Sequence, residues 1–68
     1  MFGVNFNIEG IGYVKAEYRR KCLHDVKSLA GKAFHSPHVI SVCVFDENGA
    51  VPLYLRKTPF GIYKEEIK

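Results

Sequence analysis

Cysteine is scarce in this chain. Cys22 and Cys43 are the only two in 68 residues, too few for the disulfide framework that staples small secreted domains. With so few thiols, both are expected to be reduced and buried as small apolar side chains. No apolar run approaches the ~20 residues needed to span a bilayer. The N-terminus has neither a basic segment nor an apolar one that would read as an export signal. A soluble, cytoplasmic protein with no membrane partner is the expectation. Internal repeats, low-complexity tracts and linkers are lacking as well, so residues 1–68 read as a single domain. Folding buries only about 60% of the surface of so short a chain, which makes its core thin. Self-association as a homodimer would be one way to reinforce it.

Catalytic signatures are missing too. There is no G-x-S-x-G elbow, no phosphate-binding G-x(4)-G-K-[ST] loop and no H-E-x-x-H zinc motif. Gly10-Ile11-Gly12 lacks the third glycine and the βαβ context of a dinucleotide fingerprint. Cys22, His24, His35, His38 and Cys43 fall close together, but their spacings do not match the paired ligands that zinc requires. On a helix, Cys22 and His24 would point about 200° apart. Neither an enzyme nor a metal or other cofactor is expected.

What the chain does have is 47% hydrophobic and 25% charged residues, the ordinary mixture of a globular domain. Phe2, Val4, Phe6 and Ile8 alternate with Gly3, Asn5 and Asn7, which predicts a strand with one buried face. Beyond the Gly10–Gly12 turn, Val14, Ala16 and Tyr18 predict a second strand, with Lys15 and Glu17 on its other face. A helix beginning as early as Val14 is the alternative, because Ala, Glu, Lys and Arg all favour helices. The preferred reading starts the helix near Arg19 or Arg20. Leu23, Val26, Ala30 and Ala33 form its apolar stripe, flanked by Cys22 and Leu29. Ser36-Pro37 must stop it, and Lys32 and His35 suit the negative end of its dipole.

Val39–Phe45 is rich in β-branched residues and predicts a central strand, with Ile40, Val42 and Val44 on one face. Asn48-Gly49 predicts a hairpin, because both residues tolerate positive φ. Val51–Arg56 returns with Val51, Leu53 and Leu55 on one face. A turn at Thr58–Gly61 leads to a short strand at Ile62–Lys64, and the tail from Glu65 is expected to fray. The expected fold is α+β: a two-layer sandwich, β-β-α-β-β-β, of four to five antiparallel strands with one amphipathic helix on one face.

The net charge is +3, and it is unevenly spread. Residues 15–32 carry a local +4 from Lys15, Arg19, Arg20, Lys21, Lys27 and Lys32 against Glu17 and Asp25; the remainder carries −1. A basic cluster on a helix attracts nucleic acid or another anionic partner. Arg20, Lys27 and Lys32 are the candidate contacts on one ridge. Tyr13, Tyr18, Tyr54, Phe60 and Tyr63 are aromatic residues near bases that could stack on a single strand. The bland reading is a solvated helix face over an aromatic core.

The extended Val14-x-Ala16, the helix Leu23-x-x-Val26-Lys27-x-Leu29-Ala30-x-Lys32 and the aromatic-bearing final strand resemble small proteins of phages and other mobile elements. Among these the layout is most similar to a compact anti-CRISPR inhibitor of type I-F surveillance complexes. The resemblance implies a five-stranded sheet with one helix, whose basic residues bind the crRNA-bearing backbone and block target DNA. By position it assigns Lys27 and Lys32 on the helix and Arg56 after the strand to partner binding. Ser28 and Phe34 depart from that pattern. The expected function is therefore a non-enzymatic inhibitor of a host CRISPR-type ribonucleoprotein. The alternatives are a small nucleic-acid-binding domain and a structural or self-associating protein.

Overall fold

The computed structural model describes residues 2–18 and 22–66. Alternating apolar residues build β1 (Phe2–Ile8) and β2 (Gly12–Tyr18), followed by α1 (Leu23–Ala33), β3 (Val39–Asp46), β4 (Leu53–Thr58) and β5 (Gly61–Glu66). The strands form one sheet in the order β2-β1-β3-β4-β5, and every neighbouring pair is antiparallel. This is the expected α+β architecture, with β3 in the centre. Because β2 and β3 are both antiparallel to β1, they run parallel to each other. Such a pair needs a crossover, and α1 provides it.

The register aligns one apolar face across the sheet. Val4 lies between Ala16 and Val44, Val42 between Phe6 and Leu55, and Val44 also faces Leu53. Val26 and Ala30 of α1 close over this face, and with Val39 they complete the buried core. Phe2, Phe6, Ile8, Tyr18, Leu23, Ala33 and Phe34 pack around it, half-buried. The largest wholly buried side chains are valines, so the core is as thin as the chain length implies.

The helix is shorter than its basic lead-in suggests. It starts at Leu23, not near Arg19 or Arg20, and ends at Ala33. Arg19, Arg20 and Lys21 lie outside the described residues. Cys22 is the N-cap and is exposed, not buried. Its position just before the first helical turn takes it off the apolar stripe, and its thiol donates to Asp25 Oδ2 at 3.3 Å. The last carbonyls are satisfied by a tight closing turn: the amides of Phe34, His35 and Ser36 donate to Gly31, Lys32 and Ala33.

Three strand details also differ from expectation. A register shift after Asn7 pairs Ile8 with Val39, which buries Val39 (6% exposed) and turns Ile40 outward (41%). Val39 therefore replaces Ile40 in the apolar set. The β3–β4 connection is no two-residue turn. It is the expected hairpin, closed over three residues: the Gly49 amide donates to the Asp46 carbonyl at 3.1 Å and the Asp46 amide to that of Ala50 at 2.9 Å. The Asp46 carboxylate reinforces it by accepting the amides of Asn48 at 2.9 Å and Ala50 at 3.0 Å. Only Gly49 takes positive φ there (84°), and Val51 falls before β4, 37% exposed. At the other end, Glu65 and Glu66 do not fray but continue β5.

Candidate functional site

Lys27, Lys32 and Arg56 are not on one surface. Lys27 leans from α1 toward β5, where its Nζ pairs with the Glu66 carboxylate. Lys32 lies five residues further along α1, about 140° around the helix axis, and is exposed in the last turn. Arg56 is on neither side of the helix. Leu53 and Leu55 point into the core, so alternation along β4 puts Tyr54 and Arg56 on the opposite face of the sheet. Arg20 lies outside the described residues. Lys27 and Lys32 therefore do not share the expected ridge, and Arg56 lies on a third surface.

What the fold does bring together is an uncovered sheet face. Alternation places Asn5, Asn7, Lys15, Glu17, Ser41, Cys43, Phe45, Tyr54, Arg56, Tyr63 and Glu65 there. Two cation–π pairs form on it. The Arg56 guanidinium lies 4.9 Å from the Tyr63 ring centroid, and Lys15 Nζ lies 5.4 Å from that of Phe45. Arg56 and Tyr63 are direct cross-strand partners. Tyr54 lies between them and Phe45, because it pairs with Cys43 on β3 and Glu65 on β5. Diagonal neighbours of this kind are about 7–8 Å apart, so Phe45, Tyr54 and Tyr63 form an aromatic row across three strands.

Electrostatically the face is balanced. Glu17 and Glu65 offset Lys15 and Arg56, and Lys15 reaches Glu17 at 3.9 Å, an exposed pair of little energetic weight. Cys43 sits half-buried in the middle of β3, and burial pushes its thiol pKa up. On the helix side, hydrogen bonds from Lys27 and then Lys64 hold the Glu66 carboxyl below its usual range.

The sequence pattern linked neither Lys15 with Phe45 nor Lys64 with Glu66. Period-two alternation was the signal for the first pair and for the true facing of Arg56. No local signal links Lys27 to Glu66, 39 residues away. Among the described residues, no three His, Cys, Asp or Glu side chains gather as metal ligands, and no helix is long and apolar enough to cross a membrane. Comparison with protein-family models, curated proteins and solved structures gives no match.

Proposed function

We propose that the protein is a non-enzymatic binding module that engages single-stranded nucleic acid through the open face of its sheet. The observation that carries this reading is the pairing of Arg56 with Tyr63 and of Lys15 with Phe45 around Tyr54. Flat rings accept unstacked bases, and the adjacent cations reach phosphate oxygens. Balanced charge on the face makes stacking the larger contribution. The finer form of the reading is a mobile-element inhibitor that acts on a host CRISPR-type ribonucleoprotein. It draws on the sequence resemblance and uses the same contact, since a protein seated on guide bases would deny them to target DNA.

Fluorescence anisotropy with labelled single-stranded and duplex RNA tests the core of this proposal. The single strand should bind better than the duplex. Each of Tyr54→Ala and Tyr63→Ala should lose roughly 1–3 kcal/mol of binding. With Lys15 and Arg56 as the two phosphate contacts, log K should fall against log[salt] with a slope of about −1.4. Equal affinity for duplex, or full binding by a folded double-alanine variant, would reject the sheet face as the site.

A further inference from the structure

The other side of the sheet holds a cavity that the nucleic-acid reading does not use. Along α1, Lys27, Gly31 and Phe34 form one row, spaced by four and three residues so that they line the same flank. That row faces Leu53 and Leu55 of β4 and Ile62 and Lys64 of β5, and together they line a half-open cavity of about 240 Å³. The space exists for two reasons. The helix packs on β3, β1 and β4, which leaves Ile62 of β5 54% exposed. Opposite it the helix carries Gly31, with no side chain to fill the gap.

Gly31 is costly where it stands. A glycine inside a helix loses roughly 1 kcal/mol relative to alanine, and nothing in the fold asks for one here. A Cβ at Gly31 would meet no atom within 4 Å, and its backbone is not among the positive-φ glycines. Its missing side chain leaves that flank of the cavity unfilled.

The chemistry of the lining defines what would fit. Phe34, Leu53, Leu55 and Ile62 make the floor apolar. At the rim, the ammonium groups of Lys27 and Lys64 both meet the Glu66 carboxylate, Lys64 at 3.3 Å. Two cations share one carboxylate, so the rim keeps a net positive charge. The volume exceeds the ~150 Å³ that admits benzene and falls short of the ~300 Å³ typical of drug-sized ligands.

We propose that this cavity binds a small amphipathic carboxylate. The apolar body, of phenyl or short-alkyl size, enters among Phe34, Leu53, Leu55 and Ile62, and the ligand carboxylate takes the place of Glu66 beside Lys27 and Lys64. The site lies across the sheet from Tyr54 and Tyr63, so its success or failure is independent of the nucleic-acid reading.

The test is an NMR titration of the full chain with 3-phenylpropionate, alongside 3-phenylpropan-1-ol and acetate. The carboxylate should bind saturably, with amide shifts centred on Gly31, Phe34, Leu55, Ile62 and Lys64. The alcohol should bind roughly tenfold more weakly, because it forgoes the charge-assisted contacts, and acetate should not bind. Gly31→Leu should fill the cavity and abolish binding. Lys27→Gln, a change at the rim that leaves the core untouched, should weaken the carboxylate toward the level of the alcohol. Glu66→Gln should strengthen it by removing the internal competitor. Absence of saturable binding at millimolar probe, shifts centred on the Tyr54–Tyr63 face, or undiminished binding by Lys27→Gln would overturn the proposal.

Discussion

The two faces of the sheet are built by the same strands and differ in nearly every other respect. On β4, Leu53 and Leu55 are buried beneath the helix, while Tyr54 and Arg56, one residue along from each, face the open side. The covered face is apolar, packed beneath the helix over β1, β3 and β4 and open only toward β5, where the cavity lies. The open face mixes rings, cations, carboxylates and amides, with its rings held by cation–π contacts across strands. If the proposed function holds, stability and recognition are divided residue by residue along each strand. A one-residue step on β4 changes which of the two a substitution damages.

The largest effect should come from breaking that division on the covered side. A domain of this size has a total stability of roughly 3–10 kcal/mol. Leu53→Ala removes a buried side chain and should cost about 2–5 kcal/mol, a large share of that total. Tyr54→Ala, the adjacent residue, should cost about 1 kcal/mol or less while losing nucleic-acid affinity. Urea denaturation of the two variants makes the comparison directly. Equal destabilisation would mean that the open face is a second core and that its aromatic row serves the fold.

A smaller effect is expected where the division is least clean. Gly3 faces the open side yet is buried, because the Phe45 ring of the neighbouring strand lies over it. An aromatic ring covering a cross-strand glycine protects bare backbone. A Cβ at Gly3 would overlap that ring, so Gly3→Ala should cost about 1–3 kcal/mol. Adding Phe45→Ala should recover part of the loss in a double-mutant cycle. If Gly3→Ala is silent, the Phe45 ring moves aside freely and belongs to the binding row rather than to the fold.

Much of this architecture is legible from side-chain spacing alone. Phe2, Val4, Phe6 and Ile8 announce β1, the Val-rich run announces β3, and the Leu23–Ala33 stripe gives the helix and its buried side. These features follow from local periodicity, which the sequence displays openly. The features that escape depend on partners distant in the chain. The outward turn of Ile40 follows from a register shift against β1. The site was harder still. Charge clustering in residues 15–32 drew attention to the helix, although the alternation that buries Leu53 and Leu55 already assigns Arg56 to the other face. The Lys27–Glu66 pair joins α1 to the last strand, and no local pattern signals it.

The thiols sharpen the contrast between surface and sheet by rate rather than by free energy. Cys22 is exposed at the start of α1, and Cys43 is half-buried in β3. Burial raises the Cys43 pKa, so less of it is the reactive thiolate at neutral pH. A disulfide reagent near pH 7.5 should label Cys22 several-fold faster, as mass spectrometry of early time points would show. The sign of the linkage follows: a thiol that ionises at higher pH when folded contributes stability below its unfolded pKa. That contribution is lost as pH rises through the folded value. Faster labelling of Cys43 would show the open face to be looser around the middle strand than its half-buried state implies.

The smallest effect should come from the helix lysine that stands apart from both candidate sites. Lys32→Glu places a negative charge at the C-terminal end of α1, where the dipole favours a cation. The expected cost is about 0.5 kcal/mol, near the limit for exposed substitutions. Its value lies in comparison with Arg56→Glu on the open face. Both reversals change the net charge of the protein by the same amount, so both weaken its long-range attraction for a polyanion about equally. Only Arg56→Glu also removes a cation from beside the Tyr63 ring and sets a carboxylate against the bound strand. Arg56→Glu should therefore weaken single-stranded RNA binding well beyond Lys32→Glu, and the gap should persist at higher salt, where long-range terms are screened. If the two variants lose affinity equally at every salt concentration, only the net charge matters and the sheet face makes no specific contact. A larger loss for Lys32→Glu would return the contact to the helix, as the charge distribution of residues 15–32 first suggests.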